Sequence, residues 1–136
     1  IVRGTTSREI VQMGREAGAN KIYFASAAPP VRFPNVYGID MPTRQELIAT
    51  DRDTDEICHE IGADNLIFQD LDALKSAVSK ASPKTRNFET SCFDGIYLTG
   101  DVTTEYLKQI ELQRTNLPKI RSRSNTQLDL SLVVAD

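Results

Sequence analysis

Apolar positions along the chain alternate between helical spacing and short continuous runs. Thr6-Ser7-Arg8-Glu9 reads as a capping box, with Thr6 at the N-cap and Glu9 at N3. Behind it Ile10, Val11, Gly14 and Ala17 share one helical face and Gly18 ends the helix, so the pattern predicts a helix from Ser7 to Ala17. Residues 21–26 (KIYFAS) are short, aromatic and β-branched, which predicts a buried strand. Thr43-Arg44-Gln45-Glu46 is a second capping box, expected to open a short helix through Leu47 and Ile48. Asp53 or Thr54 caps a third helix carrying Ile57, Cys58 and Ile61 on one face, with Gly62 as its stop. Residues 65–68 (NLIF) form a second strand candidate, and Asp70 caps a helix with Leu71, Leu74, Val78 and Ala81 at helical spacing. Residues 82–90 read as loop, and 91–99 (SCFDGIYLT) as a bent or paired strand around Gly95. A final helix is expected from about Thr103 to Arg114, with Tyr106, Leu107 and Ile110 inward.

The alternation of helix and strand predicts an α/β fold with a mainly parallel sheet. The right-handed crossover rule puts residues 21–26 as an interior strand beside one that ends at Val2, with the first helix as the crossover. After Pro118 the character changes, and residues 114–136 read as a polar and basic tail separate from a folded part at 1–113. The chain opens with Ile1-Val2 in what looks like mid-element, so a fragment of a longer protein is expected.

Composition narrows the class. The 136 residues carry a net charge of −3 with both signs interspersed, which excludes the basic footprint of a nucleic-acid partner. No apolar run reaches the length of a membrane span, and no signal peptide is expected, so the location is read as cytoplasmic. Cys58 and Cys92, the two cysteines, are not a C-x-x-C pair and cannot complete a zinc site with the lone His59, so reduced thiols are expected.

Arg3-Gly4-Thr5-Thr6-Ser7 lies between a strand end and a helix start. Glycine permits close backbone approach, successive N–H groups converge at a helix start, and three hydroxyls surround them, which is what a phosphate monoester needs. A plain turn with Thr6 as helix cap accounts for the same five residues. Arg32, Tyr37 and Asp40 lie in a Pro/Gly-bounded loop after a strand's C-terminal end, where open α/β sheets place ligands, and are candidates for a substrate or inhibitor pocket. The acids at 51, 53, 55 and 56 are most simply capping groups on a solvated face.

Residues 1–7 (IVRGTTS) resemble the second half of the phosphoribosyl pyrophosphate (PRPP) loop of type I phosphoribosyltransferases. The stretches ASAAP at 25–29, RFPNVYGIDMP at 32–42, ELIA at 46–49, IGAD at 61–64 and FDGIY at 93–97 are similar, in order, to glutamine PRPP amidotransferases (amidophosphoribosyltransferases), over residues 1 to 113.

That resemblance implies a chemistry. Ammonia released from glutamine in a separate N-terminal domain displaces pyrophosphate from C1 of PRPP, giving 5-phosphoribosylamine for purine synthesis. Positions like Arg3, Gly4, Thr5, Thr6 and Ser7 hold the 5′-phosphate, with purine nucleotides as competing inhibitors. Two acidic residues ahead of the loop, serving the ribose hydroxyls and Mg²⁺, would precede Ile1, and the glutaminase domain with its terminal cysteine would too. This chain alone is therefore expected to be inactive, with no catalytic residue of its own, and the full-length protein to be a homo-oligomer. An iron–sulfur subgroup has cysteines near position 35 and in a C-x-x-C ending at 92. Here Asn35 and Glu89 stand in two of those places, so the cluster-free subgroup is expected. Two alternatives remain: another type I phosphoribosyltransferase that takes a purine base, with Tyr37 as its stacking residue, or a non-catalytic module that holds a nucleotide phosphate.

Overall fold

The two apolar runs become the two strands of a parallel sheet. In a computed structural model, which describes residues 1–116, β1 (Tyr23–Ser26) pairs with β2 (Asn65–Phe68), Tyr23 opposite Asn65 and Ser26 opposite Phe68. The long connection between them suits a parallel pair, which needs a crossover. Most of the polar tail expected at 114–136 lies outside the described residues.

The opening of the chain differs from expectation. Ile1 and Val2 are not in a strand, and among the described residues β1 has β2 as its partner. The Val2 carbonyl accepts the Ile48 N–H at 2.9 Å, so that group is used by the 47–49 segment instead of a ladder. Helix α1 spans Thr5–Glu16 and starts two residues before the expected Ser7. Its N-cap is Gly4, left-handed at φ 79°, with no side-chain cap, so the Thr6–Glu9 box does not form and Thr6 sits inside the first turn. Glycine reaches this conformation without a Cβ penalty, and that moves the helix start forward. The inner face is narrower than the pattern suggests: Val11 is buried, whereas Ile10 is half exposed.

Local signals hold better in the middle of the chain. A single 3₁₀ turn, Arg44–Glu46, follows Thr43, whose N–H and hydroxyl both donate to the Glu46 carboxylate at 3.0 Å. It stops before Leu47 because Leu47, Ile48 and Ala49 are needed in the core, each 3% exposed or less. Helix α2 (Thr54–Ile61) has a complete capping box: Glu56 N–H donates to Asp53, and Asp53 N–H donates to Glu56, both at 2.8 Å. Asp70 caps α3 (Leu71–Ala81) by accepting the Ala73 N–H at 2.8 Å.

Residues 91–99 are not a strand. Ser91–Asp94 form a short helix, α4, stopped by left-handed Gly95. The Glu89 carboxylate accepts the Ser91 N–H at 2.8 Å and the Thr90 carbonyl accepts the Phe93 N–H, so local bonds satisfy backbone that pairs with no strand among the described residues. Helix α5 (Thr104–Asn116) begins beneath Thr103, whose hydroxyl accepts the Tyr106 N–H, and it runs through position 113 without a break.

The core gathers Ile48, Ala49, Ile57, Ile61 and Leu66, with Ile1, Phe24 and Phe68 packed against it. Burying aliphatic side chains of this size contributes about 1.5–3 kcal/mol each. Helix α2 packs on both β2 and α1. Two arginines of α1 lock that layer: Arg8 donates to the Glu60 carbonyl and pairs with its carboxylate, and Arg15 pairs with Asp64. Asp64 also accepts the Ile22 N–H at 2.7 Å, and that bond, then the Arg15 guanidinium, holds its carboxyl below the usual carboxylate range. The start of β2 is thereby tied to the start of β1 and to α1, so the N-terminal end of α1 is carried on a braced sheet.

Candidate functional site

The start of α1 opens onto a cleft of about 770 Å³, lined by residues 1–7 and by Asp40, Met41 and Pro42. Gly4 makes this geometry. At φ 79° it turns the chain from the core-seated Ile1 into the helix, and Gly4 itself is buried. A Cβ built there would collide with Ile48 Cδ1 and lie 3.6 Å from Ile61 Cγ2, so glycine is required by the core below. The sequence alone suggested a different reason, close approach of the backbone to a bound phosphate.

With no side-chain cap, the N–H groups of Thr5, Thr6 and Ser7 keep no intrahelical acceptor, since the first bond of the helix runs from Arg8 N–H to Gly4 O. The positive end of the helix dipole adds to them. Thr5 and Thr6 are exposed and Ser7 is buried at 7%, so hydroxyls stand at two depths around the same turn. Arg3 at the rim pairs with Glu46 at 3.3 Å, both side chains about half exposed. A pair of that kind contributes little in water and can exchange its partner for an incoming anion. Neutral donors, a dipole and one cation around an open cleft are suited to a phosphate dianion.

The three loop candidates part company. Asp40 lines the same cleft as Arg3 to Ser7. Arg32 does not; its Nη1 donates to the carbonyls of Ala49 at 2.8 Å and Arg52 at 3.0 Å. Tyr37 also lies off the cleft, packed edge-on against Tyr97 with ring centroids 6.2 Å apart, its hydroxyl 3.2 Å from Thr99 Oγ1. Sequence reasoning missed Met41 and Pro42 as lining residues, although they directly follow Asp40 in turn, and missed Ile48 beneath Gly4, which local pattern marks only as apolar.

The segment that carries Asp40 is held from behind. Asn35, 4% exposed, accepts the N–H groups of Tyr37 and Ile39 and donates Nδ2 to Glu89 at 3.3 Å. The Cys92 carbonyl accepts the N–H groups of Arg32 and Phe33, and the Tyr97 hydroxyl donates to the Pro34 carbonyl at 2.7 Å. Burial pushes the Tyr97 phenol up, which keeps it a donor.

No protein-family profile matches the chain. In sequence it is 58% identical to the amidophosphoribosyltransferase of Pasteurella multocida over 96% of its length, and 53% identical to that of Escherichia coli over 97%. It is 40% identical to the amidophosphoribosyltransferase of Saccharomyces cerevisiae, again over 97%. The fold is similar to that of a glutamine PRPP amidotransferase from B. subtilis complexed with ADP and GMP, with a TM-score of 0.62 and 38% identity over 79% of this chain. A second solved structure, described as the allosteric regulatory enzyme of purine biosynthesis, gives 0.64 and 40% over the same share. Over nearly its whole length the chain is similar to one segment of the amidophosphoribosyltransferases. It spans about a quarter of these relatives: 26% of the Pasteurella multocida protein and 24% of each solved chain.

The thiols of this chain are not activated. Burial, then the Asp55 and Asp64 charges, pushes Cys58 up, and burial followed by Glu89 does the same to Cys92. A raised thiol is a poor nucleophile at neutral pH. Among the described residues no group of three His, Cys, Asp or Glu side chains is placed to hold a metal ion, and no helix is long and apolar enough to cross a membrane.

The position of Gly4 yields a packing prediction. Gly4→Ala destabilises by about 2–4 kcal/mol, combining left-handed strain with overpacking. Ile48→Val removes the Cδ1 atom that a Cβ would strike, so the double variant recovers about 1 kcal/mol relative to additivity in urea unfolding. Strict additivity would show that the Cβ does not meet Ile48.

Proposed function

We propose that this chain is the part of an amidophosphoribosyltransferase that holds the 5′-phosphate of PRPP, in an enzyme that transfers glutamine-derived ammonia to PRPP to give 5-phosphoribosylamine, the first step of de novo purine biosynthesis. The observation that carries this reading is the uncapped first turn of α1: three N–H groups, with hydroxyls of Thr5, Thr6 and Ser7, facing one cleft beside Arg3. Residues 1–113 are taken as the C-terminal part of the phosphoribosyltransferase domain, and since the match to the relatives covers 131 of the 136 residues, the likeness continues into 114–136 as well.

In this role the loop does no bond-making. Ammonia attacks C1, the C1–O bond to pyrophosphate breaks, and the ammonium product loses a proton. The phosphate at the other end of the ribose is a remote handle, and fixing it orients C1 for attack. Mg²⁺ neutralises charge on the pyrophosphate leaving group when bound, but the residues described here do not fit a site for it, and its ligands are expected before Ile1. The glutaminase nucleophile belongs to the remainder of the protein as well, so the isolated chain is expected to turn over neither substrate. The same cradle accepts the phosphate of purine nucleotide inhibitors, in keeping with a relative solved with ADP and GMP. Asp40, on the facing segment, is available to the sugar or base of either ligand. A purine-base enzyme that stacks its substrate on Tyr37 gains no support from a ring engaged with Tyr97 away from the cleft. The full-length protein is read as cytoplasmic from its sequence and as a homo-oligomer from the resemblance.

The cluster-free reading is supported by what fills positions 35 and 89. Asn35 and Glu89 are hydrogen-bonded to each other and to backbone N–H groups, leaving Cys92 as a single thiol beside them, one ligand where a cluster needs four.

Thr5→Val in the full-length protein is expected to raise KM for PRPP about tenfold, the worth of one charge-assisted bond, with Tm unchanged. Thr6→Val does the same, also without a loss of stability, because Thr6 is not the helix cap. Unchanged KM in both variants would reduce the segment to a helix start. Iron and sulfide analysis of the anaerobically purified full-length protein is expected to find neither, and stoichiometric iron contradicts the cluster-free reading.

A further inference from the structure

The turn beneath the phosphate loop is held by a side chain that the cleft does not contain. Ile48 touches the loop twice, through its N–H on the Val2 carbonyl and through the side chain that a Cβ at Gly4 would strike. Its own carbonyl accepts Arg52 Nη1 at 3.0 Å. Three residues on, Asp51 has φ 54°, a left-handed conformation that costs an aspartate more than a glycine. Arg32 braces this turn, since its Nη1 reaches the carbonyls of Ala49 and Arg52 on either side of Asp51, while the Asp51 carboxylate makes only an exposed pair with Arg44 at 3.2 Å, which contributes little. The base of this clamp is itself anchored, because the Arg32 and Phe33 N–H groups both donate to the Cys92 carbonyl.

We propose that Arg32 is a positioning residue for PRPP binding: by clamping the 47–52 turn it sets Ile48, and Ile48 sets the height at which Gly4 to Ser7 present their donors to the cleft. The proposal rests on the phosphate reading above. It gives Arg32 a task without substrate contact, consistent with a guanidinium bound to main-chain oxygens outside the cleft lining. Asp51→Gly is the informative partner. Glycine adopts a left-handed turn unaided, so it makes the clamp dispensable without touching the cleft.

The test is steady-state kinetics on the full-length enzyme, with Tm measured in parallel. Arg32→Met is expected to raise KM for PRPP about fivefold and leave kcat within about twofold, the pattern of lost uniform binding. Asp51→Gly alone leaves both constants near wild type, and added to Arg32→Met it restores KM to within about twofold. If Arg32→Met does not fold, Arg32→Lys, with and without Asp51→Gly, is read the same way, because an ammonium cannot span both carbonyls as the planar guanidinium does. An unchanged KM with a lowered Tm makes Arg32 merely structural and overturns the proposal. A fall in kcat that Asp51→Gly does not repair overturns it too, since Arg32 would then act on the substrate directly. Thr5→Val separates the two levels. If it raises KM and Arg32→Met does not, the positioning claim alone fails; if neither does, the phosphate reading fails first.

Discussion

Gly4 stands over Ile48 with a left-handed backbone, and the functional end of the molecule is arranged around that contact. A side chain there has no room below, so the chain approaches the core closely, turns at once and starts α1 at Thr5. Because the turn is made by glycine, no side chain caps the helix, and the donors of its first turn remain for a ligand. An ordinary Asp, Ser or Thr cap would stabilise the helix by about 1 kcal/mol and consume one of those N–H groups. The structure forgoes that local gain at α1 while taking it at α2 and α3, where Asp53 and Asp70 accept N–H groups at 2.8 Å.

The cleft depends on two further pieces brought from distant parts of the chain. From below, the 47–52 turn supports Gly4 through Ile48. From the side, the 35–42 segment presents Asp40, Met41 and Pro42, and it is braced by Asn35, Glu89 and Tyr97. Arg32 belongs to both braces, with its backbone on Cys92 and its guanidinium on the turn. Rigid support of this kind is what a site needs when a remote phosphate must hold a reacting carbon in line.

Much of this was legible where the determining interactions are local. Gly62 and Asp70 marked their helix ends correctly, Asp53 proved to be the cap where Asp53 or Thr54 was open, and the apolar run at 65–68 gave β2 to the residue, because caps and short apolar runs carry their own signal. The errors fall where a distant residue decides. Thr6 had the makings of an N-cap, but the cap position moved to Gly4 because of Ile48, more than forty residues away. Residues 91–99 have strand composition, yet with no strand to pair with among the described residues they close on Glu89 and Thr90 and stop at Gly95, where a Cβ would press on the Phe33 ring. The five residues proposed to hold the phosphate stand together along one cleft, as the sequence grouped them. That Asp40 joins them while Arg32 and Tyr37 do not depends on long-range packing that no local pattern encodes.

The central claim is that a phosphate monoester binds the open first turn of α1. Amide chemical shifts of the isotope-labelled full-length protein, titrated with ribose 5-phosphate, test it most directly, because backbone N–H groups that donate to a dianion move strongly downfield. The account predicts the largest, saturable shifts at Thr5, Thr6 and Ser7, with smaller ones at Arg3 and Asp40. Saturable shifts centred elsewhere, with those three amides unmoved, would contradict it.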